Sequence, residues 1–397
     1  MLDRRTLIQA AIATAALGPR LAFAKADTDK RLLVVLLRGA ADGLSWIPPY
    51  GDPNYASLRG QLAIGAPGGS DGVHKIDGTF GLHPAFDWLA QRFAAGDALA
   101  VHAVASPYRE RSHFDGQDAL ENGTATALGK RDGWLNRAIA PLGGELGNET
   151  AIAIGTTTPL LLRGDTRVAN WAPSRLPGVD DDTLARLARL YENDAFLHAR
   201  LAQAMESQAI AEDAGNMDGK ARRGNAQQQF RQTLGQAAKF LTAENGPRIA
   251  VVDSGGWDTH ANQGAATGGL ANRFRGLDAA LAEFHKGMGD AWRDTAVLVM
   301  TEFGRTVRVN GTRGTDHGTA GAAVLVGGRV RGGRVIADWP GLAAGALYQE
   351  RDLYPTTDLR SLCKATLIEH LKLDAAHIDR TVFPDTTPVP VLEGLFA

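Results

Sequence analysis

The chain has 397 residues, 44% hydrophobic and 22% charged, with 47 Gly and 17 Pro, an ordinary globular composition with ample material for a core. A formal net charge of -2 argues against a nucleic-acid binder or a broadly basic membrane surface. The single cysteine, Cys363, excludes an internal disulfide framework.

The first 24 residues read as an export leader. Arg4-Arg5, an apolar stretch from Leu7 to Leu17 and the cleavage-like Ala22-Phe23-Ala24 follow one another in the order of a twin-arginine signal. An ordinary amphipathic helix start is the alternative. No later stretch is long and apolar enough to span a bilayer. The expectation is a chain carried by the twin-arginine export machinery to the periplasm or beyond, with no transmembrane anchor after cleavage. That route carries folded proteins, which suits a metal or cofactor loaded before export.

After the leader, "RLLVVLLRG" (31–39) is a short apolar run ending in glycine, the mark of a buried strand. A helix pattern follows in "HPAFDWLAQRFAAG", then a strand in "DALAVHAVA", and "SHFDGQDALENG" reads as a helix opened by Ser112 and closed near Gly123. "TAIAIGT" is another strand. From Asp180 to about Thr242 the chain turns helical, alanine-rich and polar, the pattern of a helical insert at about 180–245. Strands resume in "PRIAVVDSGG", "DTAVLVMTEFG" and "TAGAAVLVGG", with the helical "GGLANRFRGLDAALAEFHKGMG" between the first two. Cys363 sits in the helical "TTDLRSLCKATLIEHLKL", where it reads as a small buried hydrophobe. Strands alternating with helices predict an α/β fold, a three-layer sandwich with a mostly parallel central sheet, as one domain over 25–397.

Ligands of open α/β sheets bind at the carboxyl ends of strands, so polar residues just after each strand are the candidates. Asp42 follows the first strand, where it can equally be a turn acid or helix cap. Arg109, Arg111, Ser112 and His113 follow the strand at 97–105. Asp258 and His260 are two apart, which in an extended segment sends both side chains from one face toward a shared ion. The alternative is a polar loop. Glu302 ends an apolar run and needs a partner, a metal or Arg305. Ser112 at a helix start is a plain N-cap or a nucleophile activated by a metal. His113 can be a ligand, a general acid or a structural hydrogen-bonder. Arg109, Arg111 and Arg305 can grip an anionic substrate or pair with the acids. Asp316 and His317 in "RGTDHG" precede the last strand. His83, His198, His285 and His370 read as core or surface residues, and no nucleotide fingerprint is present.

Taken together, "LRGAADGLSWIPPY", "LHPAF", "RSHFDGQDALENG", "GGWDTHANQ", "TEFGRTVRVNGTRGTDHGT" and "DWPGL" resemble an exported family of unknown function, domain-of-unknown-function family 1501, over nearly the whole mature chain. That family resembles the alkaline phosphatase and sulfatase superfamily, which implies an α/β sandwich core and a dimetal site hydrolysing phosphate or sulfate esters. The resemblance implies one or two divalent ions, zinc first, with magnesium, manganese or calcium as alternatives. It sets Asp42, Asp258, His260, Glu302 and His317 as metal ligands and Ser112 as the nucleophile, with the adjacent His113 as the second catalytic candidate. A small anionic ester is the implied substrate. Relatives space the acid and histidine of the Asp258–His260 pair more widely, and they carry an Asp-His pair where this chain has "TEFG", which leaves a second ion with a poorer ligand set. The "C-x-P-x-R" signature of formylglycine sulfatases is absent. Neighbours in an extended segment point to opposite sides, so His317 is expected as a lone distal ligand, with Asp316 supporting it from behind or shaping the turn. The rival expectation is a non-catalytic exported binding or assembly protein, recognisable by acids that are scattered or neutralised by arginines.

Overall fold

The computed structural model describes residues 28–142, 149–172, 226–244, 246–384 and 389–397, with residue 386 and a few positions between 186 and 204. The expected leader (1–24) and most of the expected insert (about 180–245) lie outside the described residues.

The strands are β1 (Arg31–Leu37), β2 (His74–Lys75), β3 (Gly81–Leu82), β4 (Ala98–Ala105), β5 (Ala151–Ile154), β6 (Ala169–Trp171), β7 (Ile249–Ser254), β8 (Thr295–Thr301), β9 (Gly321–Gly327), β10 (Arg334–Ile336) and β11 (Thr357–Asp358). The helices are α1 (Gly43–Trp46), α2 (Tyr55–Arg59), α3 (Asp87–Ala95), α4 (His113–Asn122), α5 (Trp134–Ile139), α6 (Ala226–Thr242), α7 (Gly269–Met288), α8 (Leu359–Ala365) and α9 (Ala375–His377). Among the described residues, nine strands form one sheet in the order β10-β4-β9-β8-β1-β7-β5-β6, and β11 pairs with the end of β4 beyond β10.

The apolar runs become central strands because both faces of the sheet are covered. Alternate side chains of β1 leave opposite faces. Leu33, Val35 and Leu37 join the core under α3, α6 and α7, whereas Leu32, Val34 and Leu36 join the core under α5 and α8. This is the expected three-layer α/β sandwich. Helix α6, at the C-terminal end of the expected insert, contributes Leu234, Ala237, Phe240 and Leu241 to the first of these cores. It therefore belongs to a layer of the sandwich. Cys363 is buried in the second core, and burial pushes its thiol pKa up. No helix among the described residues is long and apolar enough to cross a membrane.

One strand sets the position of the site. β9 is antiparallel to both β4 and β8, while the other pairs of this sheet are parallel. The start of β9 therefore lies at the same edge as the carboxyl ends of its neighbours. Asp316 and His317, just before β9, meet the segments that leave β4, β7 and β8.

Candidate metal centre

Between β8 and β9 the chain makes an excursion that returns on itself, with Arg305 and His317 opposed across an antiparallel bridge. The two glycines around Thr315-Asp316-His317 explain how close it comes to its neighbours. A Cβ on Gly314 would sit 2.3 Å from the carbonyl carbon of His260, and one on Gly318 would sit 2.5 Å from that of Arg305. Real Cβ atoms do not approach that near, so glycine is needed at both points for the segment to lie flat against the other two.

Four side chains converge there. His260 Nε2 lies 2.9 Å from His317 Nε2 and 3.0 Å from Asp258 Oδ1. His317 Nε2 is 3.4 Å from Asp258 Oδ1, and His113 Nε2 is 3.5 Å from Asp258 Oδ2. Each ring is fixed through its other nitrogen. His113 Nδ1 is 2.8 Å from Glu302 Oε1, His260 Nδ1 is 3.2 Å from Asp316 Oδ1, and His317 Nδ1 is 2.8 Å from the Arg111 carbonyl oxygen. Those partners are acceptors, so Nδ1 donates in all three rings and a neutral ring presents the Nε2 lone pair. His260 and His317 then face each other lone pair to lone pair at hydrogen-bond distance, beside a carboxylate. A proton shared by the two nitrogens or a metal ion bound by both would satisfy that contact. His113 Nε2 is buried and has no hydrogen-bond partner.

The donor set fits a zinc-type ion. Imidazole nitrogen and carboxylate oxygen bind zinc at about 2.0–2.2 Å, which spaces tetrahedral ligand atoms by roughly 3.3 Å. The separations among His260, His317 and Asp258 Oδ1, from 2.9 to 3.4 Å, lie near that spacing, and His113 reaches the other Asp258 oxygen at 3.5 Å. His113, Asp258 and His317 each offer an atom within 4.8 Å of the others. Imidazoles backed by carboxylate or carbonyl acceptors are the usual support of such ligands.

Burial pushes the Asp258 carboxyl up, but the Arg305 guanidinium, 2.8 Å away, more than reverses it and holds the pKa below the usual range. Burial likewise opposes ionisation of Glu302, and its hydrogen bonds from His113, Gln117 and the Gly39 N–H win, keeping it charged. The hydrogen bond to Glu302 raises the His113 pKa. Burial lowers that of His317, and the charges of His113 and Arg305 add to the effect. Asn310 donates to Asp316 Oδ1 at 2.9 Å and holds its carboxyl below the usual range.

Other sequence candidates sit elsewhere. Asp42 caps α1 through the Leu44 N–H and is fully buried among Arg59, Ser45 and Gln263. Glu302, expected as a ligand, stands behind His113, its oxygens taken by Gly39, Gln117, His113 and Thr301. Ser112 is the N-cap residue of α4, yet its hydroxyl makes no capping bond. Arg109 turns to the backbone carbonyls of Ser106 and Tyr108. Arg111 donates to Asp352 at 2.8 Å and to Gln349 at 2.6 Å. Arg305 is buried, bonded to Asp258 and Thr315, with Nη2 unpartnered. Gln117 and Asn310 were not singled out from the sequence. Gln117 lies one helical turn after His113 on the same face, a spacing that could have flagged it. Asn310 in a glycine-rich turn gave no comparable signal.

No curated protein sequence matches the chain. Three solved structures are similar over most of it. They are a protein in the alkaline phosphatase superfamily from Vibrio parahaemolyticus (11% identity, 93% of this chain and 76% of that one, TM-score 0.42), a sulfatase from Pseudoalteromonas sp. (13%, 100% and 76%, 0.39) and the phosphonate monoester hydrolase of Agrobacterium radiobacter (13%, 87% and 74%, 0.33). Residues 93–382 match the model of the family of proteins of unknown function DUF1501, and the chain belongs to that family.

Proposed function

We propose that this chain is an exported metal-dependent hydrolase of anionic esters, phosphate or sulfate, with one divalent ion, zinc by its donor set, held by His113, Asp258, His260 and His317. One observation carries the reading: three imidazole nitrogens and a carboxylate converge with no proton donor among them at neutral charge. A divalent ion there would supply Lewis-acid polarisation of the ester and a lowered pKa for a nearby hydroxyl. Ser112 is the proposed nucleophile. Its hydroxyl is free of capping duty, and it opens α4, whose first N–H groups favour an anion. The Nη2 donor of Arg305, buried beside Asp258, has no partner of its own and would serve an anionic oxygen that reached it. Asp42 is paired with Arg59, so it is not offered to a second ion.

Metal analysis of protein folded in the cell tests this, beside His260→Ala and His317→Ala and an assay panel of phosphate mono- and diesters, sulfate esters and phosphonates. Wild type should carry about one equivalent of metal and the variants a small fraction of it, with ester turnover lost in Ser112→Ala. Wild type without stoichiometric metal would end the proposal. The reading as a binding protein is favoured by the arginines on Asp258 and Asp42. Metal content with no turnover across the panel would support it instead.

A further inference from the structure

Arg111 is one of a few residues other than glycine with a left-handed backbone, at φ 62°. An L-residue bearing a long side chain holds that conformation only where its surroundings enforce it. The enforcement is visible. The guanidinium donates through Nε to Asp352 Oδ2 at 2.8 Å and through Nη2 to Gln349 Oε1 at 2.6 Å, and lies 5.9 Å over the Tyr348 ring. Asp352 is fully buried. These three residues belong to a tight turn in which Tyr348 and Asp352 exchange backbone hydrogen bonds at 2.9 and 3.0 Å across the left-handed Gln349 and Glu350. The turn in turn pairs with Thr306, directly after Arg305. At the other end of the same residue, the Arg111 carbonyl accepts from His317 Nδ1 at 2.8 Å.

We propose that Arg111 is a positioning residue: by clamping the 348–352 turn it holds its own strained carbonyl against His317 Nδ1, fixing that ring with the proton on Nδ1 and the Nε2 lone pair toward His260 and Asp258. The sequence leaves Arg111 between gripping an anionic substrate and pairing with an acid, and here it pairs with Asp352. With Nε and Nη2 committed to Asp352 and Gln349, the side chain acts through His317 instead. The consequence for metal affinity rests on the metal reading above, whereas the tautomer does not.

Two measurements test it. Nitrogen-15 NMR of histidine-labelled, metal-free protein, with His317 assigned by its loss in His317→Ala, reads which nitrogen carries the proton. Wild type should show His317 protonated at Nδ1, and Arg111→Gly should show the ring exchanging between tautomers. Glycine is the informative replacement because it adopts the left-handed backbone without strain, so the carbonyl is free to stay and only the clamp is removed. In parallel, cobalt(II) titration should show affinity falling roughly 10- to 100-fold in Arg111→Gly, with a changed visible spectrum, the scale on which partners behind a ligand act. Gln349→Ala, at the outer end of the clamp, should move both readouts in the same direction by less, and it serves if Arg111→Gly does not fold. A wild-type His317 protonated only at Nε2 overturns the proposal. So does an Arg111→Gly or Gln349→Ala protein with the wild-type tautomer. Absence of cobalt binding by wild type would defeat the metal reading while leaving the tautomer result to decide this one.

Discussion

Asp42 and Asp258 each follow a strand at the carboxyl edge of one sheet, and each meets an arginine, yet their surroundings differ in kind. Asp42 is fully buried, and its oxygens take hydrogen bonds from Arg59, Ser45, Gln263 and the Leu44 N–H. Asp258 keeps 39% of its side chain exposed and faces three imidazole nitrogens as well as Arg305. The first cluster is closed, since its carboxylate and its guanidinium neutralise each other, with only the Arg59 Nε left without an acceptor. The second is open, since its acceptors outnumber its donors. The two are joined, because Gln263 bonds Asp42 and also accepts from Thr259 and Thr315, and Thr315 accepts from Arg305. A buried chain of polar groups thus runs from the closed cluster to the back of the open one. The comparison teaches that an acid after a strand is a site candidate only when its counter-charges fall short, a quantity no single motif contains.

The sharpest way to break the comparison is Asp42→Ala. If the Asp42 cluster is purely structural, the change leaves the Arg59 guanidinium buried beside Ser45 and the carbonyls of Thr306 and Val307. Removing one partner of a buried pair costs about 3–5 kcal/mol. Denaturant unfolding of the metal-free protein should show a loss of that size, with the metal content of the folded protein unchanged. Metal lost while stability holds would move Asp42 into the metal site, where the resemblance had set it.

Much of the fold was legible because β1, β8 and β9 are unbroken apolar runs covered on both faces. The short strands β6, β10 and β11 were not, because β6 exposes its central residue and β10 and β11 are only half-buried at an edge, so neither leaves a run to read. In the site, Asp258 and His260 were legible from spacing alone. The direction of β9 was not, since a strand's neighbours do not appear in its own sequence, and that direction is what carries His317 to the shared edge. The exchange between Glu302 and His113 was equally hidden: which of two residues faces the opening depends on Gly39 and Gln117 taking the carboxylate from behind. Nothing in "ASLRGQ" marked Arg59 as the partner of Asp42.

A second test separates the folded frame from the open cluster by pH. His83, His102 and His370 are buried, and burial lowers each pKa from 6.5 to about 4 against the pull of a backbone carbonyl acceptor. The unfolded chain takes up these protons near pH 6.5 and the folded chain only near 4, so stability is level above 6.5 and falls between 6.5 and 4. The loss is up to about 3 kcal/mol for each histidine. The Asp42 carboxyl, which burial pushes up and Arg59 pulls down further, is held below its usual value, so the closed cluster stays charged through that window. Unfolding of metal-free protein at pH 7, 6, 5 and 4.5 should show the decline. A flat profile would mean these histidines are not buried neutral.

The smallest expected effect is also the most discriminating about the open cluster. Glu302→Gln preserves shape and nearly all hydrogen bonds: the amide oxygen can still accept from Gly39, Gln117 and His113, and the amide nitrogen can donate to Thr301 Oγ1 while that hydroxyl continues to donate to Leu37. Only the negative charge behind His113 is removed. If Glu302 acts through His113, stability at pH 7.5 should hold and cobalt(II) affinity should fall by about 10-fold, since an imidazole backed by an amide is a weaker donor than one backed by a carboxylate. The visible spectrum should keep its band shape, because the ligand atoms are the same. If Glu302 is itself a ligand, the amide is a poor substitute for its carboxylate, and metal should be lost outright with a new spectrum for whatever remains. The two outcomes differ in kind as well as in size, so one titration decides which side of His113 the carboxylate serves.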